Sequence, residues 1–142
     1  MIFVDTNIFM YAVGKDHPYK LPSLKFFEES ADGKHEIAIN VEVLQEILYR
    51  FWAIRKIEKG YDLFGYAKHL SDWILPISQS EIDKAKDLMK GTPGLSPRDA
   101  LHAASMLKNR ISTILSYDQH FDQITALKRI EPAHLFPTFS QD

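Results

Sequence analysis

Short apolar runs alternate with amphipathic stretches along this chain, and the runs end in residues that start helices. Ile2-Phe3-Val4 is wholly apolar and two of its three residues are β-branched, the pattern of a short strand buried on both faces of a parallel sheet. Asp5-Thr6-Asn7 follows at once, and Ile8, Phe9, Tyr11 and Ala12 continue as an apolar helical segment. Gly14 to Pro18 reads as a loop. A surface helix is predicted from about Leu21 to Ala31, with Lys25, Glu28 and Glu29 opposite Leu24 and Phe27. Asp32-Gly33-Lys34 stops it, and Ile37-Ala38-Ile39 reads as a second buried strand.

Asn40 can cap the next helix, predicted to run to about Lys56 with Leu44, Ile47, Leu48 and Phe51 as its core stripe. Glu42, Glu46 and Arg50 fall on a neighbouring face, where Glu46 and Arg50 have the spacing of an ion pair. Glu58-Lys59-Gly60 reads as a break, Tyr61 to Trp73 as an aromatic-rich helix, and Ile74 to Ile77 as a strand that Pro76 puts at a sheet edge. Ser80 opens a helix over Glu81–Met89 with Ile82, Ala85 and Leu88 inward, closing at Gly91. After a loop, Ser96-Pro97-Arg98-Asp99 has a capping residue, a proline at the first helical position and an acid at the third. Ala100, Leu101, Ala104 and Leu107 form that helix's expected inward face, and Asn109-Arg110 end it. Thr113-Ile114-Leu115 is the next strand, followed by Ser116-Tyr117-Asp118, a short helix over Gln119–Ile124, a last strand at Arg129–Glu131 and a proline-containing tail.

This order predicts an α/β fold, a three-layer α/β/α sandwich with a mainly parallel central sheet. No repeat or linker interrupts it, so residues 1–142 are expected to form one domain. A formal net charge of −2 gives no global attraction to nucleic acid, and any such contact needs a local basic patch. With no cysteine, disulfides and thiolate metal sites are excluded. The six histidines show no zinc-type spacing, and each reads as an ordinary surface or boundary residue. The start of the chain lacks a signal-peptide pattern and no apolar run is long enough to span a membrane, so a cytoplasmic location is expected.

Two predicted strands end in an acid, Asp5 and Asp118. A third acid, Asp99, opens a helix, and a fourth, Glu46, lies one and a half turns into the helix after the second strand. In open α/β sheets, sites form where strands end and helices begin, so the two strand-end acids are well placed for chemistry; Asp5 equally suits a plain N-cap.

Four segments together resemble the PIN-domain nucleases, most closely the small ribonuclease toxins of VapC-like toxin–antitoxin pairs. They are Ile2–Asn7 (strand, then D-T-N), Ile37–Glu46, Ser96–Ala104 (with R-D-A-L-H-A-A) and Ser116–Ile124 (S-Y-D-Q-H-F-D-Q-I). Ser116 stands where threonine is commoner, and Asn40 where serine is usual. The family's six-residue step from Asn40 selects Glu46 over Glu42. Asp122 falls where some relatives carry an extra acid.

The resemblance implies an endoribonuclease whose catalytic and metal-binding residues are Asp5, Glu46, Asp99 and Asp118. Oxygen-only donors favour Mg²⁺ or Mn²⁺. Asp5 and Asp99 would hold the principal ion, with Glu46 and Asp118 completing the site. Thr6, Asn7 and Ser116 would orient carboxylates or a water. Arg50 and Arg98 would meet RNA phosphates, and Arg55, Lys56 and Lys59 would extend that patch. A cognate antitoxin and a homodimer are the implied partners. The aromatic residues between Tyr49 and Trp73 read as core; a dimer face or an antitoxin groove is their other reading. A PIN-fold nuclease for RNA processing without an antitoxin would carry the same acids, whereas a PIN-fold binding module would usually have lost some. A phosphotransferase of the haloacid-dehalogenase type would want an acid where Asn7 stands.

Overall fold

Ile2–Val4 forms β1, the middle strand of the sheet, and the fold is arranged around it. The computed structural model describes residues 1–136; the end of the proline-containing tail lies outside them. β2 (Ile37–Asn40) and β4 (Thr113–Leu115) flank β1, and β3 (Trp73–Leu75) and β5 (Lys128–Ile130) lie outermost, in the order β3-β2-β1-β4-β5. All four pairings are parallel, so every strand presents its carboxyl end at one edge.

Among the described residues, six helices complete a three-layer α/β/α fold: α1 (Thr6–Val13), α2 (Lys20–Ala31), α3 (Val41–Ala53), α4 (Ile57–Leu70), α5 (Gln79–Gly91) and α6 (Pro97–Lys108). Two 3₁₀ turns, Gln119–Gln123 and Pro132–Leu135, flank β5. The central strands are apolar on both faces because helices cover both: Phe3, Val4, Ile37, Ala38, Ile39, Ile114 and Leu115 are fully buried. Among the described residues, no helix is long and apolar enough to cross a membrane.

Several expected boundaries and faces are corrected. The third helix ends at Ala53 rather than near Lys56, because Arg55 adopts a left-handed φ of 59° and turns the chain into α4. Glu58-Lys59-Gly60 is not a break but the first turn of α4. Gly60 serves close packing there: a Cβ on it would lie 2.8 Å from the Phe51 Cβ on α3. That helix stops at Leu70, and Trp73 opens the edge strand, leaving Pro76 just outside the ladder. On α3, Val43 is buried where Leu48 was expected. On α5, Ile82 faces solvent, and Glu81 is buried instead, ion-paired with Lys108 of α6.

The aromatic residues read as core are largely outside it. Tyr49, Trp52, Tyr61, Tyr66 and Trp73 are all exposed. Of these, Tyr66 lines an apolar groove between the α1–α2 and α3–α4 pairs, together with Val13, Leu24, Phe27, Phe51 and Leu63.

Candidate active site

Neighbouring strands deliver the first two groups. β1 and β4 pair with Val4 opposite Leu115, so Asp5 and Ser116 leave the sheet side by side. The Ser116 hydroxyl donates to Asp5 Oδ2 at 2.6 Å, and its oxygen accepts the Asp118 N–H at 3.0 Å and the Asn7 amide at 3.5 Å. Asp5 Oδ1 takes the Thr6 N–H at 2.7 Å. Asp5 therefore caps α1 and also lines the cleft that the other acids reach.

The helix that follows β2 supplies Glu46. Asn40 caps that helix, its Oδ1 accepting the Val43 N–H at 3.1 Å, and this sets the phase that turns Glu46 inward to 4% exposure. Glu46 Oε2 accepts from Arg50 at 3.3 Å, the pair that the spacing suggested, and from Arg98 at 3.1 Å. Among the described residues, Glu46 Oε1 is buried without a hydrogen-bond partner. The start of α6 supplies Asp99, whose N–H donates to the Ser96 Oγ at 3.1 Å with Pro97 at the first helical position. Asp118 follows β4 and caps the turn at Gln119, accepting the His120 N–H at 2.9 Å with the His120 ring nitrogen 2.8 Å from the same oxygen.

The four acids come from four separate segments and line one cleft of about 300 Å³, together with Asn7, Arg50 and Arg98. Asp122, by contrast, forks with Arg129 at 2.9 Å and is not among the residues lining this cleft.

The electrostatics follow from crowding carboxylates into a partly dry space. Burial pushes Asp5 up to about 6; the Ser116 hydroxyl opposes this and the Glu46 charge adds to it. Asp99 rises to about 8, first through burial, then through its hydrogen bond with Asp118 and the charges of Asp5, Asp118 and Glu46. Burial also pushes Asp118 up, but bonds from Asp99 and His120 outweigh it and hold that acid below its usual range. The cluster thus holds protons that a cation would displace.

Ligand atoms of Asp5, Glu46 and His102 lie within 4.8 Å of one another, as do those of Asp99, Asp118 and His120. The unpartnered, buried Glu46 oxygen and the predominance of carboxylate donors fit a hard divalent cation.

His102 corrects the reading of the histidines. It is fully buried, packed on Phe3 with ring centroids 5.3 Å apart, and its Nε2 lies 3.7 Å from Asp5 Oδ1. Burial, reinforced by the Arg98 charge, lowers its pKa to about 3, so it is neutral. The missed signal is its place three residues after Asp99, which puts it on that acid's side of α6.

Comparison with known proteins agrees with this architecture. The PIN domain family matches residues 2–127. Ribonuclease VapC13 of Mycobacterium tuberculosis is 38% identical over 130 residues, covering 92% of this chain and 99% of that protein. Ribonuclease VapC23 of the same species is 33% identical over 118 residues, covering 83% and 93%. Among solved structures, FitAcB from Neisseria gonorrhoeae superposes with a TM-score of 0.69 at 14% identity, over 94% of this chain and 99% of that one. VapBC2 from Rickettsia felis, bound to a DNA fragment from its promoter, gives 0.65 at 22% identity, over 92% and 98%. At these identities the structural likeness speaks for the fold.

Proposed function

This chain belongs to the PIN-domain family, and from that premise we propose that it is a metal-dependent endoribonuclease, the toxin of a cytoplasmic toxin–antitoxin pair, built as a single PIN-like domain. The observation that carries the reading is the convergence of Asp5, Glu46, Asp99 and Asp118 on one cleft, with a buried Glu46 oxygen left without a partner. Relatives named ribonucleases across nearly their whole length support the reaction class.

In this reading Asp5 and Asp99 would hold the principal Mg²⁺ or Mn²⁺, and Glu46 and Asp118 would complete the site. Such an ion would supply water activation and charge neutralisation for phosphodiester hydrolysis. The chain's own residues prepare that chemistry. Ser116 and the Thr6 N–H fix the Asp5 carboxylate from two sides. Asn7 braces Ser116 from the first turn of α1. Arg50 and Arg98 offset the Glu46 charge, and their half-exposed guanidinium groups would meet RNA phosphates. No side chain has to act as a covalent nucleophile.

The apolar groove between the α1–α2 and α3–α4 pairs supports a protein partner, since such surface is usually covered. A second apolar groove, lined by Ile82, Met89, Pro97 and Leu101 of α5 and α6, leaves room for a homodimer as well.

The test is cleavage of a mixed RNA pool by pure protein with Mg²⁺, with Mn²⁺ and with EDTA, alongside folded Asp5→Asn and Asp99→Asn. Cleavage is expected with either metal, and neither with EDTA nor in the two variants. Cleavage in EDTA, or persisting in both variants, overturns the proposal.

A further inference from the structure

We propose that His102 is a positioning residue for Asp5, locked by Asn40 in the tautomer that turns an Nε2–H toward the Asp5 carboxylate. Its role in the reaction rests on the nuclease reading above; the tautomer itself does not.

The lock follows from a helix cap. Asn40 is fully buried, and its Oδ1 is committed to the Val43 N–H at the start of α3. The amide nitrogen must then face α6, where it donates to the Ser105 Oγ at 3.0 Å and lies 3.1 Å from His102 Nδ1. An amide nitrogen only donates, so Nδ1 has to accept. A histidine that accepts at Nδ1 is neutral and carries its proton on Nε2.

That proton has nowhere else to go among the described residues. Nε2 is buried with no hydrogen-bond partner, and Asp5 Oδ1 lies 3.7 Å away, an electrostatic contact rather than a hydrogen bond. The ring is also held by Phe3. Asp5 therefore has three donors around it: the Thr6 amide, the Ser116 hydroxyl and this imidazole. An Nε2 that carries a proton cannot ligate a metal. Although His102 sits with Asp5 and Glu46 in metal-binding range, it aims the carboxylate and leaves the ligation to oxygen.

Long-range ¹H–¹⁵N correlation of the ion-free protein reads the tautomer directly. Wild type is expected to show His102 as the Nε2–H form. Asn40→Ser keeps a capping oxygen but loses the amide, and should admit the Nδ1–H form. Mn²⁺ titration calorimetry gives the second readout. His102→Leu should bind Mn²⁺ roughly 10-fold or more weakly, while His102→Gln, whose amide can accept from Asn40 and donate to Asp5, should retain most of the affinity. The KM for RNA at saturating Mn²⁺ should not move in either variant.

An Nδ1–H form or an imidazolium in wild type overturns the proposal, as does a folded Leu variant that binds Mn²⁺ as tightly as wild type. Wild type that binds no Mn²⁺ overturns the nuclease reading and the positioning role with it. The Nε2–H signal in ion-free protein separates these failures, because the Asn40–His102 lock is read there without metal or RNA.

Discussion

Ser116→Ala removes one oxygen on which three parts of the site converge. The hydroxyl is fully buried, donates to Asp5 Oδ2 at 2.6 Å, and accepts the Asp118 N–H and the Asn7 amide. A hydrogen bond to a charged group contributes about 1.5–3 kcal/mol, and leaving a part-buried amide without its acceptor costs about 1 kcal/mol more. The expected loss near pH 7.5 in EDTA is therefore about 3 kcal/mol. In a urea titration followed by circular dichroism that is a midpoint shift of roughly 1.5 M at unchanged slope. The pH dependence sharpens the test. Asp5 titrates at about 6 in the folded chain, so at pH 5 its carboxyl is mostly protonated and the bond loses its charge assistance. The cost of the substitution should then fall to about 1–2 kcal/mol. A loss under about 1 kcal/mol at pH 7.5, or one that does not shrink at pH 5, refutes the assignment of Ser116 as the hydroxyl that holds an ionised Asp5.

The other predictions concern the acids and one close packing contact. Asp99 has its folded pKa raised to about 8, so its contribution is fully present below the unfolded value of 3.8 and is lost as pH rises through 8. Denaturant titrations of the ion-free protein should show stability falling from about pH 6.5 to about 8 and levelling off above it, with a smaller fall in Asp99→Asn. Glu81 is held down at about 2, first by Lys108 and then by the Ser78 N–H and Ser80, so its contribution is present above 4.5 and lost as pH falls through 2. Glu81→Gln should therefore lower the melting temperature at pH 7 and flatten its decline in acid. Gly60→Ala gains about 1 kcal/mol of helix propensity but forces a Cβ to within 2.8 Å of Phe51 Cβ, an overpacking that costs about 1–3 kcal/mol; a net loss is expected in chemical denaturation, and a gain would contradict the reason given for this glycine.

What could be read in the sequence was mostly local. The strand before Asp5, the cap at Asn40 and the Ser96-Pro97-Asp99 start are each encoded within a few residues, and the structure has them as expected. Because the strands are parallel and end at one edge, Asp5, Asp99 and Asp118 at strand and helix boundaries come together there, while Glu46, inside α3, was singled out only by the family resemblance. What escaped depends on distant partners. Gly60 has the composition of a breaker, and only its contact with Phe51 makes it a packing residue. Arg98 reaches Glu46 across 52 positions, and Glu81 finds Lys108 across 27, so neither of these two pairs is announced by local spacing. His102 lies among alanines on α6, and its burial follows from Asn40 and Phe3, which come from other elements. Trp52 and Tyr61 read as core because large aromatic residues are mostly buried; their exposure is visible only in the fold.

The central claim is that the four carboxylates hold a divalent ion, and anomalous diffraction from crystals equilibrated with Mn²⁺ tests it most directly. A peak is expected in the cleft, bonded to oxygens of Asp5 and Asp99, with Glu46 and Asp118 reached directly or through water and His102 outside the coordination sphere. No peak there, an ion held by Asp99, Asp118 and His120 without Asp5, or an ion ligated by His102 Nε2 would contradict it.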